Sequence, residues 1–198
     1  MQLPLLKKVL SELAKENFLE IQNGNFVASE KNKVKNVNLK IENQGEIISL
    51  LGPSGIGKTT LLRTIAGLQK LSSGLILLKG KVLSSNNIHI EPENRNIALS
   101  FQENSLFPHY SVDKNIHLGI KKNSPTDKNI FSKEIIKILN IEDILDKYPH
   151  QISAGEAQRA SLARSIISQP DLLLLDEPLS NVDQSFKEEI QVRLKKIL

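Results

Sequence analysis

The 198 residues, with 39% apolar content, suffice for one substantial core and a small satellite subdomain. The 26 basic residues exceed the 22 acidic ones by only +4, and no basic tract is interleaved with aromatics, so nothing argues for nucleic acid as a partner. Zero cysteines excludes disulfides and thiolate metal sites, His89, His109, His117 and His150 show no metal-ligand spacing, and no apolar run reaches bilayer length or forms a signal-peptide block. The expectation is a soluble, unexported chain.

In chain order, Leu3 to Lys15 places Leu6, Leu10 and Leu13 at helical spacing, which predicts an amphipathic helix packed on its own domain rather than on a membrane or partner. Residues 1–17 are read as this helical lead-in and 18–198 as the domain proper. Phe18 to Val27 and Lys33 to Ile41 predict two strands of an antiparallel layer, separated by the polar turn Ser29 to Asn32. An apolar strand at Ile47 to Leu51 and a helix at Lys58 to Leu68 follow, with a glycine-rich loop between them. Gly74 to Leu78 and Ile97 to Phe101 read as further strands. After the polar loop Lys121 to Asp127, with Pro125, residues Phe131, Ile135, Ile138 and Leu139 mark one face of a helix over Phe131 to Leu139. Gly155 to Ser168 predicts a helix stopped by Pro170, and Leu172 to Leu175 a strand buried on both faces. A last helix is expected over Gln184 to Leu198.

The loop Gly52-Pro53-Ser54-Gly55-Ile56-Gly57-Lys58-Thr59-Thr60 fits G-x-x-x-x-G-K-[ST] between a predicted strand and helix. Glycines let the backbone curl and turn successive N–H groups inward into an anion nest. Lys58 supplies a point charge for terminal phosphates, Thr59 a hydroxyl for Mg²⁺, and the helix its positive dipole end. A polyphosphate is the ligand this predicts. The leucine strand ends in Asp176-Glu177-Pro178, where a parallel sheet presents its ligand crevice. In a P-loop enzyme the first of two such acids holds Mg²⁺ and the second orients or deprotonates the attacking water, which are the roles assigned to Asp176 and Glu177.

With these motifs in this order, the chain from about Phe18 onward resembles the ATP-binding subunit of an ABC transporter. Ile152-Ser153-Ala154-Gly155-Glu156-Ala157-Gln158-Arg159 is similar to the family signature LSGGQ and the helix that follows it. The resemblance implies that Ser153, Gly155 and Glu156 meet the γ-phosphate of ATP bound to a second subunit. Ser153 with Glu156 also fits a helix-capping box, and both readings can hold together. Phe101-Gln102 and Leu106 to His109 resemble the Q-loop, whose glutamine reaches Mg²⁺ and the attacking water and whose loop borders the groove for a membrane subunit. Together with Arg95-Asn96-Ile97, Val112 and Asn115, it looks like the importer branch serving iron, polyamines, sugars or oxyanions. Ser180 to Asp183 resembles the D-loop at the dimer interface, and is also an ordinary Asp-capped turn.

The resemblance implies an α/β P-loop NTPase core of RecA type, with an antiparallel β-layer and an α-helical signature subdomain. It implies ATP and Mg²⁺ as cofactors, ATP hydrolysis, an integral-membrane permease subunit and a second ATP-binding subunit as partners, and a substrate-binding protein acting indirectly. The expected place is peripheral, on the cytoplasmic face of the inner membrane. Three departures stand out. The place of the usual adenine-stacking aromatic falls near Ala28 and Ser29, with Phe26 as a substitute more compatible with a core role. Ala154 replaces the first signature glycine. The sequence stops at Leu198, before the strand that would carry the switch histidine, so the domain is expected to be incomplete at its C-terminus, with the last core strands missing. Ile47 to Leu51 and Leu172 to Leu175 would then lack a shared neighbour, and an unstable fragment with little or no ATPase activity is expected.

Overall fold

The computed structural model describes residues 17–27, 33–100, 106–120 and 127–178, with 187, 188, 190 and 192 farther on. The predicted lead-in helix, the turn Ser29 to Asn32 with Ala28 before it, Gln102, residues 121–126 of the Lys121 to Asp127 loop, the D-loop and most of the expected helix Gln184 to Leu198 lie outside these residues. Two compact units divide between Arg95 and Asn96.

The first unit is built on an antiparallel sheet of order β2-β1-β3-β4, from β1 (Leu19–Val27), β2 (Lys33–Ile41), β3 (Ser73–Leu78) and β4 (Lys81–Ser84). Leu19, Ile21 and Phe26 of β1 are buried, and the inward spacing changes from two to three residues where Asn23 adopts φ 48 and the register with β2 shifts. One extra residue there restores the alternation that would otherwise expose Phe26. The lysines of β2 line an edge of this sheet, where charge discourages pairing with foreign strands. β4 is not among the predicted strands. Its signal is local: Lys79 and Gly80 both have positive φ (50 and 72), the two-residue hairpin turn that matches the twist of the flanking strands.

Helix α1 (Lys58–Ile65) is shorter than the predicted Lys58 to Leu68. Gly67, with φ 86, turns the chain out of the helix, its N–H donating to the Thr64 carbonyl and that of Leu68 to the Arg63 carbonyl. That paired pattern is the left-handed stop glycine favours. A Cβ on Gly67 would lie 2.6 Å from Nε of Arg95. The expected strand Ile47 to Leu51 is not one: no ladder forms there among the described residues, and Leu51 is 93% exposed. An apolar run records the capacity for burial, whereas a strand exists only as one side of a ladder.

The second unit holds β5 (Ile97–Ser100), α2 (Val112–His117), α3 (Asp127–Ile138), α4 (Ala154–Ile167) and β6 (Leu172–Leu175). β5 and β6 pair in parallel, Ile97 opposite Leu172 through Ser100 opposite Leu175. Of the four leucines only Leu174 is buried and Leu175 is 36% exposed, so the strand is not buried on both faces as predicted. One partner strand and the helices packed here leave part of its surface open. The core joins Val112, Ile116, Ile135, Leu162 and Ile166 from the three helices with Leu139, which directly follows α3. α3 starts at Asp127, earlier than the predicted Phe131, and its predicted face is confirmed by Ile135 and Leu139 at 0% exposure. α2 escaped prediction; Ser111, whose side chain accepts from the Lys114 N–H, is its one local signal.

Candidate functional site

In the first unit the residues Gly52 to Thr60 form an exposed loop running into α1. Gly55 (φ 79) and Gly57 (φ 106) occupy the left-handed region, and a Cβ on Gly57 would fall 2.3 Å from Cγ2 of Val34. Only glycine satisfies both the dihedral and the close approach. Gly57 is the N-cap of α1, and no side chain caps this end. The Leu61 N–H already donates to the Gly57 carbonyl at 2.9 Å, which leaves the N–H groups of Lys58, Thr59 and Thr60 as the helix's free donors. No acidic residue stands in the first turn. The Lys58 ammonium folds over the loop, donating to the carbonyls of Gly52 at 2.7 Å and Pro53 at 3.0 Å. Free donors, a dipole end and a lysine with no competing carboxylate are the elements of a phosphate site. The glycine loop, reserved for glycine at position 57 by its dihedral and the approach of Val34, fits a polyphosphate.

The base of α1 is held by Arg95, a residue noted in the sequence only as part of a motif. Arg95 is 4% exposed and spends its donors on five acceptors. Nε donates to Ile90 O, Nη1 to Thr64 O and Ile65 O, and Nη2 to Leu83 O and Ser84 Oγ. A cation at the C-terminal carbonyls of α1 also complements the helix dipole. Burial lowers its pKa, though a guanidinium stays charged.

In the second unit Asp176 continues the β5–β6 ladder, its N–H donating to Ser100 O at 3.1 Å. Glu177 then turns left-handed with φ 50, unusual for a side chain without glycine's freedom. The Gln158 amide of α4 donates to the Glu177 carbonyl at 3.1 Å. The structure therefore joins the signature helix to the Asp176-Glu177 turn, a link the sequence reading missed because it spans 19 positions. Ser153 caps α4: its Oγ accepts from the Glu156 N–H at 3.2 Å and donates to the Glu156 carboxylate at 2.8 Å, which also accepts the Ser153 N–H at 2.7 Å. The capping box is present as predicted. The Ser153 N–H, then its hydroxyl, hold the Glu156 carboxyl below its ordinary value.

Within α2, Asn115 is fully buried and fixes the turn of residues 107–111 that precedes the helix. Its Oδ1 accepts from the Phe107 N–H at 2.7 Å, and its Nδ2 donates to the carbonyls of Phe107, Tyr110 and Ser111. Phe107, 47% exposed, lies edge-on to His109 and Tyr110, with the Arg164 guanidinium 5.8 Å from its ring centre. Phe26 is 1% exposed in β1, so its ring is core and not a platform for adenine. Lys58 and Thr59 belong to the first unit, Asp176 and Glu177 to the second, and Gln102 lies outside the described residues. Thr59 and Asp176 offer a hydroxyl and a carboxylate, hard oxygen donors of the kind Mg²⁺ takes. Among the described residues no helix is long and apolar enough to cross a membrane.

Residues 34–180 match the model of a family described as ABC transporter. Among curated proteins, the Fe(3+) ions import ATP-binding protein FbpC of Escherichia coli O157:H7 is 36% identical over 187 residues, 93% of this chain and 52% of that protein. The sn-glycerol-3-phosphate import ATP-binding protein UgpC of Vibrio cholerae is 42% identical over 167 residues, 83% of this chain and 43% of that protein. The chain thus spans about half the length of the curated relatives it matches. Among solved structures, the ATP-binding cassette MJ0796, a dimer in a post-hydrolysis state bound to ADP and Pi, aligns with a TM-score of 0.74 at 26% identity, covering 90% of this chain and 82% of that one. A chain from Clostridium perfringens, cbiO1, part of the ABC transporter complex cbiONQ, aligns with a TM-score of 0.73 at 29% identity, covering 92% and 74%. The fold is that of the ATP-binding cassettes.

Proposed function

The chain belongs to the ABC transporter family, and from that premise we propose that it is the ATP-binding and ATP-hydrolysing part of an importer subunit. The observation that carries this reading is the uncapped, glycine-cradled N-terminus of α1 with Lys58 beside it. Gly52 to Thr60 hold the phosphates of ATP, with Lys58 released from the Gly52 and Pro53 carbonyls to reach the terminal ones. Thr59, Asp176 and Gln102 would be the residues to hold Mg²⁺, which would supply positive charge against that of the phosphates. Glu177 orients the attacking water and accepts its proton, and Gln102 assists in placing that water. Ser153, Gly155 and Glu156 act on ATP held by a second subunit, homologous or identical, so that ATP closes two subunits head to tail.

The permease seats against the loop Leu106 to His109, whose exposed Phe107 is braced by Asn115 and Arg164. A substrate-binding protein delivers cargo to that permease, and the ATP-binding subunits lie peripherally on the cytoplasmic face of the inner membrane. The relatives named for iron and for sn-glycerol-3-phosphate import support iron or an oxyanion-bearing solute as the cargo class. Residues 18–198 act as the ATP-binding domain. The test is Glu177→Gln in the subunit assembled with its permease. ATP binding is retained, hydrolysis falls by about 100-fold or more, and the ATP-bound pair accumulates. Turnover at the parental rate overturns Glu177 as the catalytic carboxylate.

A further inference from the structure

We propose that Gln158 is a positioning residue for hydrolysis: its side-chain amide holds the backbone turn that aims the Glu177 carboxylate, tying that aim to the signature helix. The inference rests on the reading of Glu177 as the group that handles the attacking water. Gln158 is 2% exposed, and a buried primary amide is retained only where its donors and acceptor are used. Its Nε2 donates to the Glu177 carbonyl at 3.1 Å, from α4 across to the end of β6.

Glu177 needs such a restraint. At φ 50 a glutamate stands in a region its Cβ disfavours, and it stays there only when the surroundings over-determine it. On the N-terminal side the ladder bond from the Asp176 N–H to Ser100 O fixes the strand end. On the C-terminal side the Gln158 amide engages the carbonyl. The amide anchors the Glu177–Pro178 peptide, one of the two planes flanking the Glu177 Cα, and the ladder bond anchors the chain one peptide earlier, so the direction of the Glu177 Cα–Cβ bond depends on the Gln158 contact. Without the amide, Glu177 can relax toward ordinary dihedrals and swing its carboxylate. A displacement of about 1 Å at a reacting group is enough to cost on the order of 100-fold in rate.

The same helix begins at Ser153, five residues earlier, or about 7 Å along the axis at 1.5 Å per residue. The signature end and the catalytic turn are therefore attached to one rigid element within the second unit. A shift of α4 on engaging a partner's nucleotide would reach Glu177 through Gln158.

The experiment uses the subunit assembled with its permease and compares steady-state ATP hydrolysis in four forms. Gln158→Met keeps the length and apolar bulk but has no donor; kcat is expected to fall about tenfold or more with KM for ATP within about twofold, since no group touching ATP has changed. Gln158→His, whose Nε2–H can reach the same carbonyl, is expected to recover part of the rate. In a Glu177→Gln background, Gln158→Met is expected to add no further loss, because the carboxylate it aims is gone. If Gln158→Met lacks a cooperative melt, Gln158→Glu, of the same size but without a donor when ionised, takes its place. A parental kcat in the donor-free variant, a raised KM alone, or an equal loss in both backgrounds overturns the proposal. Parental turnover in Glu177→Gln alone would instead overturn the catalytic reading of Glu177 and take this inference with it.

Discussion

The two helices to which we assign the phosphate contacts begin in opposite ways. α1 starts on Gly57 in the left-handed region, with no side-chain cap and no acid in its first turn, so the positive end of the helix stays unsatisfied by the protein itself. α4 starts on Ser153 with a complete capping box, in which the Glu156 carboxylate already sits at the dipole end and takes both the backbone and hydroxyl protons of Ser153. A helix end that lacks a cap loses stability of its own and gains an anion site. One that is capped by its own carboxylate is stable alone and meets a foreign anion only by giving up a bond. The first therefore suits a resident nucleotide, the second a contact that forms late, when a partner's nucleotide arrives.

The largest expected effect tests the open end. Lys58→Ala removes the one side-chain cation in the loop that can face the β- and γ-phosphates. Charge-assisted bonds contribute about 1.5–3 kcal/mol each, so a weakening of ATP binding of about 100-fold or more is expected by calorimetry. Unchanged affinity would remove α1 from the site. Ser153→Arg tests the closed end in the opposite sense: on the proposed assignment of this side chain to the partner's nucleotide, it leaves ATP affinity of a single subunit within about twofold yet blocks ATP-driven pairing. Light scattering with ATP on the Glu177→Gln background separates the outcomes. A normal dimer there would mean that the signature end is only a helix cap.

A smaller change sharpens why the open end needs glycine. Gly57→Ala imposes two separate penalties, a left-handed alanine and a Cβ 2.3 Å from Val34 Cγ2. A loss of about 1–3 kcal/mol in unfolding free energy is expected from the dihedral alone. Combining it with Val34→Ala should relieve the clash but not the dihedral, so partial rescue is the expected result. Full rescue would show that sterics alone fix this glycine. Arg95→Met probes the other end of the same helix and is expected to cost about 3 kcal/mol, since it removes a charged donor from the Ile65 carbonyl and one of two donors from the Thr64 and Leu83 carbonyls, bonds to charged groups contributing about 1.5–3 kcal/mol each.

The contrast between the helix ends was readable in the sequence, because a glycine cradle and a Ser-x-x-Glu box are both local chemistry. So were β1, β2 and α4, where period and boundary residues agree within a few positions. What the sequence did not show is what depends on distant partners. Ile47 to Leu51 has a strand's composition and no ladder, since pairing is decided by a neighbour the run itself does not encode. Arg95 and Asn115 read as members of a motif, but their work is to saturate backbone groups far along the chain, which no spacing announces. Gln158 is the same case within the candidate site: its position on α4 was predicted, its carbonyl partner was not.

The smallest effect concerns Glu156 and depends on pH. Its carboxyl is held below the ordinary glutamate value of 4.5 by the Ser153 N–H and, next, the Ser153 hydroxyl. A carboxylate whose folded value is depressed contributes stability that is fully present above its unfolded value and is lost as pH falls through the folded one. Glu156→Ala should therefore lower stability by about 1 kcal/mol at pH 7, the usual worth of a helix cap, with the gap between parent and variant constant from pH 6 to 8. Below about pH 4.5 the gap should narrow, because the parent's carboxylate is then taking up a proton and losing its charge-assisted bonds. Glu156→Gln, which keeps an acceptor oxygen without the charge, should fall between the two. Denaturant unfolding at pH 7 and at pH 3 measures both points. A gap that stays the same at pH 3 would show that the box holds by hydrogen-bond geometry alone, and that no negative charge needs to be displaced before an anion can reach Ser153.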